Sequence, residues 1–299
     1  MGRWEITKED LIGLTLAGTA AALTYFYLKR RQAAKPFLVD STQKYPVRLV
    51  SRENLGRNVI RLRFELPENH YLGLETGQHV QISAQIDEKS VTRNYTPTSL
   101  RRICGYFEIV LKVYNATTED PKRGTMSRYL NEIPIGSLIQ VRGPVGQNVY
   151  HGRGNWTVRK KTQKLSVQGI KEIGLVAGGS GITPMLQTIH HIINDLEDLT
   201  HVCLVFANST DEDLFLQEYL DELHKLSNSR LKIWYTLSIS TDPKWNYSVG
   251  RVDYPMLSTH LPNPSPNSLI LVCGPRGFET NALQILKRIG HEEHKVIAL

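Results

Sequence analysis

The 299-residue chain contains few cysteines and no internal repeat or low-complexity tract. Its three cysteines, Cys104, Cys203 and Cys273, lie far apart and lack the spacing of metal ligands. The sequence therefore predicts neither a disulfide framework nor a zinc site, so the metal expectation is none. A reducing, cytosol-facing location fits this cysteine usage best.

The charge is basic overall, with a formal net charge of +7. Such a balance favours an acidic partner, a membrane surface or nucleic acid. The basic residues are dispersed, and no strip interleaves them with aromatic residues, so no nucleic-acid partner is predicted. The length and the 40% of hydrophobic residues suit two domains with separate cores.

The N-terminal segment carries a long apolar run, Leu11–Leu28, without a charged residue. As a helix this run would rise about 27 Å, close to the thickness of a bilayer core. Lys29, Arg30 and Arg31 follow the run, whereas a cleaved signal peptide has its positive charges in front. We therefore expect an N-terminal transmembrane helix at residues 1–31, single-pass, with everything downstream facing the cytosol.

A polar connector is expected at residues 32–44. After it, the spacing of the hydrophobic residues is typical of strands up to residue 150 and of alternating strands and helices from residue 172. Residues 45–150 carry short runs that alternate apolar and polar side chains between glycines, which predicts an antiparallel β-barrel with one helix near residues 126–131. Residues 151–171 are basic and polar, as in a linker or an exposed hairpin. Residues 172–299 alternate strand-like and helical stretches, which predicts an α/β domain with a parallel sheet.

The sequence predicts four strands and three helices in the α/β half. Strands are expected at Ile173–Ala177, Val202–Ala207, Leu231–Leu237 and Leu269–Val272, and helices at Met185–Asn194, Asp213–Leu226 and Gly277–Ile289. Nucleotides bind at the carboxyl ends of the strands in such sheets. We therefore expect the ligand-binding residues of this half in the loops that follow its strands.

The strand-to-helix turn within Leu175–Gln187 is the clearest candidate ligand site. Its closely spaced glycines allow torsions that a side chain would obstruct, so a phosphate can approach the backbone. Thr183 is predicted as the N-cap and Pro184 as the first helical residue, which leaves unpaired N–H groups at the turn. A dinucleotide pyrophosphate is the usual ligand. An ordinary tight turn is the alternative, because the usual third glycine is missing.

Two segments of the β half carry groups suited to a phosphate and a flat ring. In the first, RNYTPTS, alternation puts Arg93, Tyr95 and Pro97 on one face of a strand and the residues between them on the other. The second, GTMS from Gly124, offers a glycine turn and a hydroxyl at a helix start. Each segment alone also fits a surface ion pair, core packing or a simple helix cap.

The order of the motifs along the chain is more informative than any one of them. R-x-Y-T-P-x-S and G-x-M-S are followed by G-P-x-G at Gly143, by GGSGITPM and by C-G-P at Cys273. From about Tyr45 onward the chain resembles the ferredoxin reductase-like flavoproteins, and among them the NADH–cytochrome b5 reductases. The resemblance implies an FAD-binding barrel and an NADH-binding domain. Electrons would pass from NADH to FAD and then singly to cytochrome b5 or a similar acidic heme protein.

The resemblance also implies a membrane and a set of site residues. The membrane would be that of the endoplasmic reticulum or the mitochondrial outer membrane. The implied FAD contacts are Arg93, at the diphosphate, with Asn94, Tyr95, Thr96, Val110, Lys112, Gly124, Met126, Ser127 and Thr183. The implied NADH contacts are Gly179, Ser180, Gly181, Asp213, Cys273, Gly274 and Pro275. Thr96, Lys112 and Cys273 are the candidate catalytic residues, and no acid–base pair is needed because hydride transfer is the chemistry of the flavin.

The preference for NADH over NADPH is predicted from the segment Asn208–Asp213. It carries three carboxylates and no lysine or arginine. Carboxylates repel a 2′-phosphate and accept hydrogen bonds from a free ribose hydroxyl, so NADH is expected. The resemblance places the discriminating acid at Asp213, with Asp211 as the alternative. These acids could also serve only to bias the charge at the start of the next helix.

Three departures from the family pattern bear on activity. Asn94 stands where these reductases usually have proline, which we expect to loosen its strand slightly. Arg276 begins a segment that is usually proline-rich, and Leu299 replaces a usual aromatic. Two alternatives therefore stay open beside cytochrome b5 reduction: an NADH diaphorase that reduces quinones or ferric chelates, and a catalytically silent membrane-anchored scaffold.

Overall fold

The computed structural model describes residues 34–118, 120, 122–160 and 163–299. The predicted membrane anchor at residues 1–31 lies outside the described residues, as does the start of the connector. In the part of the chain that is described, no helix combines the length and the apolar character needed to cross a membrane.

An antiparallel sheet forms the N-terminal half, as the period of two predicts. Its strands are β2 (Tyr45–Gly56), β3 (Val59–Glu65), β5 (His79–Ile86), β6 (Lys89–Tyr95), β7 (Tyr106–Lys112) and β8 (Leu138–Val145), in the order β6–β5–β8–β2–β3–β7. Two short strands, β1 (Lys35–Pro36) and β4 (His70–Tyr71), pair beside it. The predicted helix is α1 (Thr125–Glu132). Its Met126 and Leu130 are buried in the same core as alternate residues of the strands.

The segment expected to be a linker or an exposed hairpin is a folded three-stranded sheet. Its strands are β9 (Val149–Gly152), β10 (Asn155–Lys160) and β11 (Gln163–Val167). Of the two predicted alternatives the structure shows the hairpin; its strand β11 is largely exposed as expected, but one face of β10 is buried. Trp156 is 1% exposed and packs on Tyr150, with ring centroids 4.7 Å apart, inside the core of the α/β half. Tyr150 is the cross-strand neighbour of Trp156 on β9, and its ring lies 5.0 Å from that of His191, so the buried pair packs this sheet against the α/β half.

A six-stranded parallel sheet forms the C-terminal half. Its strands are β12 (Glu172–Gly178), β13 (His201–Asn208), β14 (Leu231–Leu237), β15 (Ser248–Val249), β16 (Ser268–Cys273) and β17 (Val296–Ala298), in the order β15–β14–β13–β12–β16–β17. Its helices are α2 (Ile182–Asn194), α3 (Gln217–Leu226), α4 (Tyr254–His260) and α5 (Arg276–Ile289). The predicted strands are confirmed. The helix expected from Asp213 begins only at Gln217, because Asp211–Asp213 form a separate 3-10 turn.

The central strand β12 determines where the site lies. Leu175 and Ala177 pack into the core that contains α2, whereas Val176 packs into the core that contains α4 and α5, so helices cover both faces of the sheet. In the parallel register Ala177 pairs with Cys273 on β16, and Gly178 pairs with Ala207 on β13. The glycine turn therefore emerges beside the end of β16, although the two segments lie far apart in sequence.

Candidate active site

A cleft of about 740 Å³ lies between the two halves. Every site residue predicted from the sequence lines it except Gly179 and Asp213. The cleft residues are Arg93, Asn94, Tyr95, Thr96, Val110, Lys112, Gly124, Met126, Ser127, Ser180, Gly181, Thr183, Cys273, Gly274 and Pro275. The structure thus brings the separate motifs to one cavity, and the role of each residue stays a prediction.

The start of helix α2 differs from the prediction. Gly179–Gly181 form a 3-10 turn, α2 follows at Ile182, and the N-cap is Gly181 without a side-chain cap bond. The prediction of Thr183 as the N-cap is wrong, because the glycine turn is itself already helical. The Thr183 hydroxyl instead donates to the Ser180 carbonyl at 3.2 Å. Pro184 lies later than predicted but still in the first turn, where an N–H has no helical partner.

Two glycines of the turn are needed for different reasons. Gly179 has φ +54°, the left-handed region that L residues rarely adopt. Gly181 has an ordinary torsion, but a Cβ there would lie 2.2 Å from the carbonyl oxygen of Cys273. The turn can therefore touch the end of β16 only because position 181 has no side chain.

Arg93 presents a charge to the cleft. One of its terminal nitrogens donates to the Thr92 carbonyl at 2.8 Å. Among residues 34–118, 120, 122–160 and 163–299, no carboxylate forms an ion pair with it. A guanidinium that is free to make bidentate bonds at a cavity wall is well suited to a phosphate.

The predicted two-face division of the RNYTPTS segment fails for Pro97, which lies beyond the end of β6. Asn94 and Thr96 line the cleft together with Arg93 and Tyr95, whereas Pro97 lines a second cavity. The alternation fails because β6 ends at Tyr95, so the residues after it no longer follow a strand. Burial raises the pKa of Tyr95, so this side chain is a neutral phenol beside the cleft.

Helix α1 presents its first turn to the cleft. Its N-cap, Gly124, makes no side-chain cap bond. The Ser127 hydroxyl is occupied locally, because it donates to the Gly124 carbonyl at 3.0 Å and accepts from the Tyr114 N–H at 3.1 Å. Backbone N–H groups at the start of such a helix are suited to a phosphate.

Tyr114 is a cleft residue that the sequence reasoning missed. Its hydroxyl lies 3.3 Å from the Ser180 hydroxyl, and so it joins the β half to the glycine turn. Val110 and Lys112, which the resemblance implies as flavin contacts, lie two residues apart, and Tyr114 follows at the same interval. That alternation was the available signal. His79, Asn148 and Leu299 also line the cleft and were not predicted as site residues.

The structure separates the two acids considered for nucleotide choice. Lys112 forms an ion pair with Asp213 at 2.6 Å, and both side chains are largely buried. Asp211 instead accepts hydrogen bonds from Ser240 and from the backbone N–H of Thr241, bonds that lower its pKa. Asp213 is therefore the acid that faces the β half, beside the cleft-lining Lys112.

Replacing Asp213 with serine should lower the preference for NADH over NADPH. The change removes a negative charge that would repel a 2′-phosphate, and it frees Lys112 to attract one. We expect the ratio of kcat/KM for NADPH to that for NADH to rise about tenfold or more, equivalent to about 1.4 kcal/mol. Glu212→Gln is the matched control, since Glu212 is exposed and pairs with Arg57. An unchanged ratio in the Asp213 variant would contradict the assignment.

Cys273 is a protonated thiol at the edge of the cleft. Burial raises its pKa to about 12. Its sulfur donates a weak hydrogen bond to the Leu299 carbonyl at 3.8 Å. A neutral thiol can border a ring but is a poor nucleophile, since thiolate is the reactive form.

The thiol of Cys273 should therefore resist alkylation at ordinary pH. With a pKa of about 12, only about 10⁻⁴ of the thiol is ionised at pH 8. In a protein with Cys104→Ala and Cys203→Ala, we expect the rate of iodoacetamide labelling to rise about tenfold per pH unit through pH 10. A small free thiol is the control and should level off near its ordinary pKa. Levelling of the Cys273 rate near pH 9 would be inconsistent with the burial described.

The departures from the family pattern have local consequences. The Asn94 amide oxygen accepts from Gln81 on β5 at 3.1 Å, so this residue adds a cross-strand bond where loosening was expected. Arg276 is exposed at the start of α5. Leu299 donates its N–H to the Val272 carbonyl at 3.0 Å and lines the cleft. Asn94 and Leu299 line the cleft but leave its volume of about 740 Å³ open.

The residues of the cleft fit FAD on one side and a dinucleotide on the other. The Arg93 guanidinium, without an ion-pair partner in the described part of the chain, and an uncapped helix start suit a diphosphate, and the half-buried Tyr95 and the buried Val110 suit a flat ring. The glycine turn and the start of α2 provide a second set of open N–H groups. Groups suited to phosphate therefore lie on both sides of the cleft.

Comparisons with known proteins agree with this geometry. The oxidoreductase FAD-binding domain model matches residues 46–150, and the oxidoreductase NAD-binding domain model matches residues 175–284. NADH-cytochrome b5 reductase 2 of Danio rerio is 40% identical over 308 residues, with 98% of this chain and 99% of that protein covered. The chain belongs to the NADH-cytochrome b5 reductase family. The reductase is also 42% identical over 277 residues to NADH-cytochrome b5 reductase 3 of Rattus norvegicus, covering 90% and 91%.

A solved structure supports the same assignment of fold. The cytochrome b5 reductase domain of Ulva prolifera nitrate reductase matches the reductase with a TM-score of 0.80 and 31% identity, over 88% of this chain and all of that one. The reductase is therefore an NADH-dependent flavoprotein oxidoreductase with FAD and NADH as cofactors. The NAD-binding match spans the glycine turn.

Proposed function

We propose that the reductase passes electrons from NADH through FAD singly to cytochrome b5, while residues 1–31 anchor it in a membrane. The observation that carries this proposal is the shared cleft, in which the predicted FAD residues of the β half face the predicted NADH residues of the α/β half. The printed names of the relatives add support for cytochrome b5 as the acceptor.

The chain's own residues bind and orient the cofactors. Bound FAD supplies the redox chemistry, since it accepts two electrons with a hydride and releases them one at a time. Arg93 and the first turn of α1 hold its diphosphate, and Tyr95 and Thr96 lie against its ring. The glycine turn holds the NADH pyrophosphate, and Cys273 borders the nicotinamide as a neutral, largely buried wall. These residues would orient the two cofactors in the cleft and exclude water from it.

Charge and anchoring support the choice of an acidic, membrane-bound acceptor. The net charge of +7 favours encounter with an acidic protein, and complementarity of this kind acts mainly on the association rate. Two partners in one bilayer also meet at a raised effective concentration. We place the reductase on the cytosolic side of the endoplasmic reticulum or mitochondrial outer membrane.

An acceptor comparison tests the proposal. The full chain in lipid vesicles should be yellow, bleach on addition of NADH and reduce cytochrome b5 faster than quinones or ferric chelates. The cytochrome b5 rate should fall several-fold as ionic strength rises from about 0.02 M to about 0.5 M, because salt screens charge. Faster reduction of quinones would favour the diaphorase. A colourless protein that takes up no FAD would contradict the proposal, and a chain that still sediments with vesicles without residues 1–31 would contradict the anchor.

A further inference from the structure

One face of helix α2 carries three polar side chains a turn apart. Thr183, Gln187 and His191 follow at spacings of four residues, which places them on the same side of the helix. Thr183 lines the cleft, and the other two form hydrogen bonds to the β half. The helix that begins at the glycine turn is therefore tied to the opposite half along this face.

The Gln187 side chain makes the central set of hydrogen bonds to the β half, here called the Gln187 tie. Its side-chain oxygen accepts from the Gly77 N–H at 3.0 Å, and its side-chain nitrogen donates to the carbonyls of Gln78 at 3.2 Å and Pro97 at 3.4 Å. Both ends of the amide are used, and every partner is a backbone group. Backbone partners cannot turn away as a side chain can, so the bonds hold α2 at one distance from two separate segments.

Both of those segments belong to the wall of the cleft. Gly77 lines it directly, and Pro97 follows the cleft residue Thr96. The Gly77 segment has little freedom to follow a displaced helix. A Cβ at Gly77 would lie 2.2 Å from the carbonyl oxygen of Asn148, so the backbones are already in contact there.

The neighbouring tie is of a weaker kind. His191 Nδ1 lies 2.8 Å from the Thr76 hydroxyl, which is a bond between two side chains. It lies one turn further from the start of α2 than Gln187. Gln187 is thus the tie that joins the helix to the backbone next to the predicted flavin contacts.

We propose that Gln187 is a positioning residue that sets the distance between the nicotinamide and flavin rings. The inference rests on the placement of FAD and NADH in the proposed function. Hydride transfer requires close approach, and an error of about 1 Å can cost about 100-fold in rate. Single-electron release from reduced flavin does not depend on how the nicotinamide is held. Loss of the tie should therefore slow reduction of the flavin by NADH and spare its oxidation.

The test separates the two half-reactions in the full-length protein. Gln187→Met keeps the length of the side chain and removes its hydrogen bonds, and Gln284→Met is the matched control on the exposed side of α5. At saturating NADH, flavin reduction measured by stopped flow should be about 10- to 100-fold slower in the Gln187 variant. Flavin content, oxidation of photoreduced flavin by ferricyanide and the Kd for NADH should each stay within about threefold of wild type, as in the control.

A second variant keeps the inference open to disproof. Gln187→Glu can still accept from Gly77 but turns a carboxylate toward two carbonyls, so it should slow the NADH step at least as much. Wild-type rates of flavin reduction in either variant, or equal slowing of both half-reactions, would overturn the positioning role. So would loss of flavin from both variants, since the tie would then serve folding and not alignment. A wild-type protein that NADH cannot reduce would instead contradict the proposed function itself.

Discussion

Replacing Arg93 with glutamate should produce a protein that purifies without FAD. Arg93 is the exposed cation of β6 at the cleft, without an ion-pair partner among the described residues. A charge-assisted hydrogen bond to such a group contributes about 1.5–3 kcal/mol, and the reversed charge adds repulsion of the diphosphate. We expect the Kd for FAD to rise at least 100-fold, equivalent to about 2.7 kcal/mol. Flavin absorbance after purification and titration with added FAD measure this change.

The matched control is Lys89→Glu. Lys89 lies on the same strand, is exposed and does not line the cleft. Both substitutions replace a cation with glutamate, so they change the net charge by the same amount. This variant should retain FAD. If both variants bind FAD normally, or both lose it, the diphosphate does not depend on a specific contact with Arg93.

Replacing Gly181 with valine should damage the use of NADH and spare FAD. The new Cβ would lie 2.2 Å from the carbonyl oxygen of Cys273 and 2.9 Å from the N of Gly274, so the turn and the end of β16 must separate. Both segments line the α/β side of the cleft, whereas the predicted FAD diphosphate contacts are in the other half. We expect kcat/KM for NADH to fall about 100-fold, because a displacement near 1 Å is enough for such a loss. Steady-state kinetics on a yellow, folded variant measures it.

Gly277→Ala is the control for this substitution. Gly277 lies in α5 close to the same strand end, and a Cβ there meets no atom within 4 Å. Gly277 is the second residue of α5 and alanine favours helix, so this variant should keep its activity and its stability. Normal NADH kinetics in Gly181→Val would show that the close contact at the strand end is not needed.

The pattern of the sequence predicted the parts of the fold that depend on local periodicity. Strands β12 to β14 and β16 lie within a residue or so of their expected ranges, because buried parallel strands are continuous apolar runs. Helix α1 was expected near residues 126–131 and is present at Thr125–Glu132. Motif order led to the family, and the comparisons confirm it.

Several features were decided by contacts that no local pattern encodes. Trp156 is buried because it and its cross-strand neighbour Tyr150 lie in the core of the α/β half, although the segment around it is basic and polar. Thr183 is not an N-cap, because the glycine turn adopts a 3-10 conformation before it. Pro97 leaves the cleft because its strand has ended two residues earlier. In each case the backbone path, set by distant residues, overrode the expected alternation or cap.

By itself the sequence determined which residue types could serve the chemistry: glycines at a strand end, an arginine near a tyrosine, and three acids in a segment without lysine or arginine. Only the tertiary structure decided how these residues meet. Lys112 and Asp213 pair across the two halves at 2.6 Å, and Gln187 bonds to the backbone at Gly77. Such pairings depend on the relative position of two separately packed cores, and periodicity within either segment carries no information about that distance.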